Sequence, residues 1–140
     1  MFLHQLNPIE AEAFLTLASE MIENDGVVLP EEDALLEEYK EELGLPNFLY
    51  DAAASAAARD TLGQLNESGK RKVYMEMYNF AVCDQFEDPA ERRSLNELRE
   101  ALGLDEHIAK KLEECVSDLY AVYAEIESAL EADPSPVVVE

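Results

Sequence analysis

The chain is predicted to fold as an all-α domain, a single helical bundle of two pseudo-symmetric helical-hairpin repeats. Ala, Leu and Glu, which favour helices, dominate the 140 residues, whereas Gly and Pro number only five and six. Apolar residues recur with the spacing of an amphipathic helix through most of the chain. Residues 21–45 also match residues 80–104 at a constant offset of 59, which indicates an internal repeat.

The first helix is predicted to begin at Asn7, which can cap it, with Pro8 in the first turn and Glu10 reaching back. Asp25 and Gly26 end it, since glycine adopts the left-handed conformation of a helix end at low cost. Between these ends one apolar stripe follows the helical period, made of Phe14, Leu17, Ala18, Met21 and Ile22.

A second helix is predicted from Pro30 to Gly44, because proline suits the first turn and glycine the end of a helix. The Ala-rich segment at residues 51–65 is predicted to be helical as well. The apolar face of the second helix consists of Leu35, Leu36, Tyr39 and Leu43.

Two further helices follow a turn at residues 66–69, and the second of them runs from Pro89 to Gly103. Their predicted core positions are Val73, Met77, Phe80 and Ala81 in the first and Leu95, Leu98 and Leu102 in the second.

A long final helix is predicted over residues 105–131, capped by Asp105, and residues 133–140 are predicted to form a flexible tail. Its apolar spacing is close to a heptad, which a homodimer seam and a long core helix explain equally well. We favour the core helix, because the heptads are too few to require a coiled coil. The stripe consists of Ile108, Leu112, Cys115, Leu119, Val122, Ile126 and Leu130.

The repeats cover about residues 9–45 and 68–104, and with the final helix they define one domain over residues 1–132. Nine of the 25 aligned positions between residues 21 and 45 are identical to their partners. The matched residues have structural roles, as a bend acid, a helix-starting proline, a first-turn acid, core leucines and a terminal glycine. The nine pairs are Asp25 and Asp84, Pro30 and Pro89, Glu32 and Glu91, Leu36 and Leu95, Glu38 and Glu97, Glu41 and Glu100, Leu43 and Leu102, Gly44 and Gly103, and Leu45 and Leu104.

The acids at the two bends suggest a divalent-metal site, because hairpin packing can bring the carboxylates of Asp25 and Glu32, and of Asp84 and Glu91, together. A purely structural explanation competes with it: Asp favours turns, and Glu in a first turn complements the helix dipole and caps the helix. An EF-hand is excluded, because its alignment puts Met21 where an acidic ligand is required. Further oxygens could come from Glu23, Glu31, Glu87 and Asp88.

The net charge of the chain limits the classes of ligand and partner that it is expected to bind. Thirty-two acidic residues face ten basic ones, for a net charge of −22, so nucleic acids and anionic membranes are disfavoured as ligands. Cations and basic protein surfaces are the natural partners, although solubility alone also accounts for an acidic surface. An acidic mimic of nucleic acid is a further alternative that this charge permits.

No pattern of a known catalytic site is present, so a non-enzymatic protein is predicted. Only two histidines occur, His4 and His107, and no Glu-x-x-His motif of a di-iron bundle. Cys83 and Cys115 sit at apolar positions of helical patterns and are predicted to be buried thiols. Two cysteines, no secretory signal and no long apolar stretch favour a reducing, cytoplasmic location.

The bend sequence resembles the tellurite-resistance TerB-like family. The resemblance lies in residues 17–26, Leu-Ala-Ser-Glu-Met-Ile-Glu-Asn-Asp-Gly, followed by Pro-Glu-Glu at 30–32 and Leu-Gly-Leu at 43–45. The second copy carries Ala-Val-Cys-Asp at 81–84, Glu91 and Leu-Gly-Leu at 102–104. Two departures are Asn24, where the family has a small residue, and Gln85, where it has glycine.

This resemblance implies a cytoplasmic, acidic, all-α domain associated with resistance to tellurite and other stress, and with membrane-linked complexes. A related domain occurs at the front of some DnaJ-type co-chaperones. The acidic bends of the family have been proposed to bind metal, which by position implies Asp25, Glu32, Asp84 and Glu91 as ligands here. The sequence therefore predicts an interaction module for protein partners, with a divalent metal ion as the one candidate cofactor.

Overall fold

A computed structural model describes residues 2–25, 29–83 and 89–132, with Asp25 described by its backbone alone. These residues form six α-helices and no strand, which confirms the all-α prediction. The helices are α1 (Pro8–Asp25), α2 (Pro30–Glu42), α3 (Ser55–Gly63), α4 (Glu67–Ala81), α5 (Pro89–Leu102) and α6 (Glu106–Glu131). Single 3-10 turns at Leu3–Gln5 and Ala52–Ala54 precede α1 and α3.

The start of α1 is held by a reciprocal capping box, as the sequence predicts. The side chain of Asn7 accepts a hydrogen bond from the backbone N–H of Glu10 at 2.8 Å. In return, the Glu10 carboxylate accepts from the backbone N–H of Asn7 at 3.0 Å. Asn66 caps α4 at an offset of 59 with the first of these two bonds, accepting from the N–H of Gly69 at 2.8 Å, and Gly69 has no side chain to return the second. These bonds satisfy backbone donors that a helix start leaves unpaired.

The ends of α2 and α5 also share one local geometry. Gly44 and Gly103 follow these helices with φ angles of +72° and +67°, a region that side-chain-bearing residues rarely enter. The next residue in each case, Leu45 or Leu104, donates its N–H back to the last helical turn, which satisfies a terminal carbonyl. The shared ends are consistent with a repeat of one hairpin.

The core lies between α1 and α4 and is closed by the other helices. All five residues of the predicted α1 stripe are buried, and so are the predicted core positions of α4 and α5. On α2, Leu36 and Tyr39 are buried, while Leu35 and Leu43 pack against the core from its edge. α1 packs mainly on α3, and α4 packs mainly on α6. Phe14 and Tyr39 meet edge to face at the centre, with ring centroids 5.3 Å apart.

The final helix differs from the favoured prediction of a core helix. Only Ala109 and Val116 of α6 are buried, and every residue from 121 to 131 is exposed. The core-helix prediction is therefore wrong for the second half of α6, because no other helix of the described chain covers it. Cys115 is exposed as well, so the prediction of a buried thiol is wrong there, whereas Cys83 is half-buried. The predicted tail at residues 133–140 lies outside the described residues.

Candidate functional site

Two of the four predicted metal ligands can be located in full. Glu32 and Glu91 occupy the third positions of α2 and α5, where their side chains are 2% and 4% exposed. Asp25 is the last residue of α1, but its side chain, like the whole of Asp84, lies outside the described part of the chain. The structure therefore leaves the pairing of bend acids as a prediction.

The position of Glu32 has a structural explanation. Its carboxylate accepts a hydrogen bond from the backbone N–H of Leu29, which precedes α2, at 3.2 Å. This bond caps the helix and compensates part of the cost of burying a carboxylate. Glu23 and Glu31, which were predicted to add ligand oxygens, are both exposed. Glu87 and Asp88 lie outside the described residues.

No metal centre is assembled from the residues that the structure describes. Within residues 2–25, 29–83 and 89–132, no three His, Cys, Asp or Glu side chains lie close enough together to hold one ion. His4 and His107 are exposed, and the N–H of His107 donates to the capping Asp105 at 2.7 Å. Neither Cys83 nor Cys115 takes part in a disulfide bond.

An open groove of about 200 Å³ lies beside the first acidic bend, between α1, α2 and the connection to α3. Its floor is apolar and its rim carries two exposed carboxylates, those of Glu23 and Asp33. Lys40, the one cation in the lining, pairs with Glu37 at 2.8 Å. The full lining is Ser19, Ile22, Glu23, Asp33, Leu36, Lys40, Phe48, Leu49 and Tyr50.

Leu49 is the residue of this groove that sequence reasoning missed. Its side chain is 86% exposed, the largest exposure among the large apolar residues of the described chain. It stands between half-buried Phe48 and Tyr50 in the connection from α2 to α3. Three consecutive large apolar residues in a short connection were the available signal, because a surface loop needs none of them for its own stability.

The charges are distributed unevenly over the chain. Residues 1–66, which form α1 to α3, contain 14 acidic and two basic residues. Residues 67–112 contain ten acidic and eight basic residues, and residues 113–140 contain eight acidic and no basic ones. The groove beside α1 and α2 therefore belongs to a strongly acidic region, where the field favours a cationic ligand.

A second polar cluster joins α4, α5 and α6 around Glu113. Tyr74 donates its hydroxyl to Glu113 at 2.5 Å, and Arg92 donates through both terminal nitrogens at 3.0 and 3.1 Å. Burial on its own would raise the pKa of Glu113, but the hydrogen bonds from Arg92 and Tyr74 and the charge of Arg92 outweigh it and lower that pKa. Burial and the carboxylate together raise the pKa of Tyr74.

A third cluster joins α2, α4 and α6 through Tyr39. The buried Tyr39 hydroxyl donates to the backbone carbonyl of Glu76 at 3.1 Å and accepts from the Asn79 amide at 3.3 Å. Tyr120 of α6 donates to the same Asn79 at 2.8 Å. Burial, and then the negative charge of Glu76, raises the pKa of Tyr39, which keeps its hydroxyl neutral. Both clusters join helices to one another, and none of their residues lines the α1–α2 groove.

None of the helices in the described part of the chain combines the length and the apolar character that crossing a membrane requires. Comparison of the chain with known proteins finds no matching family model, no matching curated protein and no matching solved structure.

Proposed function

We propose that this chain is a non-enzymatic, acidic helical interaction module of the TerB-like type, which binds a basic segment of a protein partner at the α1–α2 groove. The observation that carries the proposal is Leu49, which is 86% exposed at the edge of a groove rimmed by the carboxylates of Glu23 and Asp33. An exposed apolar side chain beside unpaired charge of one sign is typical of a binding surface.

The charge of residues 1–66 supports a cationic partner. Fourteen acids against two bases attract a basic segment from a distance and speed its encounter with the groove. The apolar floor beneath the rim then supplies contact area for one apolar side chain of that segment. The proposed ligand is therefore a peptide with Lys or Arg on both sides of an apolar or aromatic residue.

The TerB-like assignment and a role in stress or tellurite resistance are part of the same proposal. The shared caps at Asn7 and Asn66 and the shared ends at Gly44 and Gly103 support a duplicated hairpin of the kind this family has. Two cysteines that form no disulfide suit the reducing, cytoplasmic location that the resemblance implies.

Selection from a library of random peptides displayed on phage tests the proposed ligand. We expect the enriched peptides to be basic around an apolar residue, and to lose binding by tenfold or more, about 1.4 kcal/mol, when Leu49 is changed to Ser. The charge variant Glu23→Lys with Asp33→Lys should lose binding as well. The control variant Glu100→Lys with Glu114→Lys makes the same charge change at exposed positions outside the groove.

Two results would contradict this function. Enriched peptides without positive charge would exclude a basic ligand. Equal losses in the groove variant and in the control variant would show general charge attraction without a site.

Metal binding at the acidic bends is a second candidate, favoured by the burial of both Glu32 and Glu91 at equivalent helix positions. Calorimetric titration with Mg²⁺, Mn²⁺, Ca²⁺ and Zn²⁺ tests it on the wild type and on Asp25→Asn with Glu32→Gln. The amide oxygen of Gln can still accept the capping bond from Leu29, so the variant removes charge while keeping the cap. Unchanged stoichiometry in the variant would exclude this bend as the site.

A further inference from the structure

The second half of α6 presents an apolar face that no other described part of the chain covers. Residues 121–131 are all exposed and extend about 16 Å at the helical rise. A helix of this length draws its stability from packing rather than from propensity alone. Its exposed large apolar residues are Val122 at 48%, Tyr123 at 50%, Ile126 at 47% and Leu130 at 80%.

The first half of α6 is held firmly on the body of the protein. Ala109 and Val116 are buried, Glu113 is bound by Tyr74 and Arg92, and Tyr120 donates to Asn79. These contacts end at Tyr120, so the helix leaves the core at that point in a defined direction. The uncovered face is therefore fixed in place.

An open groove lies at the opposite end of the same face. Its apolar floor is formed by Leu112 of α6, Met75 of α4 and Phe2, and its volume is about 390 Å³. Leu112, Cys115, Leu119, Val122 and Ile126 share the heptad face of α6, so the groove and the uncovered half form one stripe. From Leu112 to Leu130 this stripe, hereafter the α6 stripe, is about 27 Å long.

The two ends of the α6 stripe carry opposite charges. The groove end is lined by Arg71 and Lys72 of α4 and by Glu67, which pairs with Arg71 at 3.3 Å. Lys111 precedes Leu112, so basic residues outnumber acidic ones at this end. The far end carries Glu125, Glu127 and Glu131, and no basic residue occurs after residue 112. Two copies of a surface with an apolar centre, one basic end and one acidic end are complementary when they pack antiparallel. The basic end of each copy then meets the acidic end of the other.

We propose that the α6 stripe binds the α6 stripe of a second copy of this chain in an antiparallel, two-fold symmetric dimer. The uncovered half of each α6 then lies on the groove of the other copy, with Ile126 and Leu130 near Phe2, Met75 and Leu112. Because the two-fold axis relates the two copies, each contact occurs twice, and both grooves and both exposed halves of α6 are covered. A helix pair of this length with a groove at each end buries on the order of 1,000 Å², which a specific interface needs.

Charge selects the antiparallel arrangement over the parallel one. Antiparallel pairing brings Glu125 and Glu127 of one copy to Arg71 and Lys72 of the other, at both ends of the interface. Parallel pairing would bring acidic ends together and basic ends together, which costs affinity. This surface is separate from the α1–α2 groove. A result that excludes the dimer therefore leaves the proposed function unaffected, and the reverse also holds.

Sedimentation velocity of the whole chain at physiological ionic strength tests the dimer. We expect a concentration-dependent species of twice the 15.7-kDa chain mass, with micromolar affinity. Glu125→Lys with Glu127→Lys, and separately Arg71→Glu with Lys72→Glu, should each weaken dimerisation by about tenfold or more. The four substitutions in one chain should restore it, because the reversed charges are again complementary only in the antiparallel arrangement.

The control Glu38→Lys with Glu41→Lys makes the same change of charge at exposed positions of α2 and should leave the dimer intact. A monomeric wild type at high micromolar concentration would overturn the proposal, and would leave the face to a different partner. A quadruple variant that stays monomeric would overturn the antiparallel arrangement.

Cys115 gives an independent measure of orientation in a Cys83→Ser background. If Leu112 meets the partner's residues 126–130, the two-fold axis lies near residue 120 and the two Cys115 Cα atoms are about 15 Å apart along the helix. A disulfide needs Cα atoms within about 7 Å, so mild oxidation should leave the antiparallel dimer uncrosslinked. Rapid formation of a Cys115 disulfide dimer would instead show parallel pairing and overturn the proposal.

Discussion

α3 and α6 each close one half of the molecule, and they do so very differently. α3 has nine residues, packs on α1 and α5, and buries Ala58 and Leu62 completely or nearly so. α6 has 26 residues and packs on α4, yet buries only Ala109 and Val116. Helical periodicity is present in both sequences, but in α6 it continues for about 16 Å beyond Tyr120, through residues that no other described helix covers.

The way each helix is attached differs as well. α3 approaches α5 so closely that a Cβ on Gly63 would lie 2.9 Å from the carbonyl oxygen of Ala101. One ion pair, between Arg59 and Glu20 at 3.2 Å, joins α3 to α1. α6 is attached through polar bonds of Glu113 and Tyr120. Apolar spacing therefore indicates which face of a helix is suited to packing. It does not indicate whether the packing partner belongs to the same chain.

The largest expected effect is in the buried helix. Leu62→Ala removes a side chain of 0% exposure from the contact of α3 with the core, and we expect it to lower the free energy of unfolding by about 3 kcal/mol. Urea denaturation monitored by circular dichroism measures this change. A loss below about 1 kcal/mol would mean that α3 is not packed as described.

Gly63→Ala tests the close approach of α3 to α5. In an open helix this substitution would stabilise the protein by about 0.5–1 kcal/mol. Here the new methyl group would press on a backbone oxygen of Ala101, which cannot move aside without shifting α5. We expect a net destabilisation of about 1–2 kcal/mol in the same denaturation experiment. A stabilised variant would contradict the helix spacing, so the sign of the change decides the test.

The attachment of α6 should depend on pH through Glu113. Because the folded protein lowers the pKa of this carboxyl, the stabilisation is present above the unfolded value of about 4.3 and is lost as the pH falls through the folded value. We expect Glu113→Gln to destabilise the protein by about 1 kcal/mol at neutral pH and by less at about pH 3. Denaturation curves at both pH values measure the difference, and an equal loss at both would show that the ion pair with Arg92 contributes nothing.

The sequence predicted the features that depend on neighbouring residues. The cap at Asn7, the terminal glycines at 44 and 103, and the buried stripe from Phe14 to Ile22 all follow from local hydrogen bonding and helical period. These interactions span at most a few residues, so the chain order alone specifies them.

The features that sequence reasoning missed depend on long-range contacts. Tyr74 and Glu113 are 39 positions apart and meet only because α4 packs on α6. Cys115 and Ile126 are exposed because no other helix of the described residues packs over them, and the apolar period of α6 carries no information on such long-range packing. Leu49 had a local signal, but its place beside Glu23 and Asp33 depends on how the α2–α3 connection folds back over α1.

The smallest expected effect is at the uncovered end of α6. Ile126→Ala removes a side chain that is already 47% exposed, so at concentrations where sedimentation shows a monomer we expect the free energy of unfolding to change by less than about 0.5 kcal/mol. Leu62→Ala in α3 is its matched counterpart, because both substitutions truncate a large aliphatic helix side chain to alanine, one that is 0% exposed and one that is 47% exposed. Where the chain is dimeric, the same Ile126→Ala should lower the apparent stability more, because dissociation then precedes unfolding. A large loss in the monomer would mean that the α6 face is covered by its own chain, and a loss that does not depend on concentration would remove the case for a second copy.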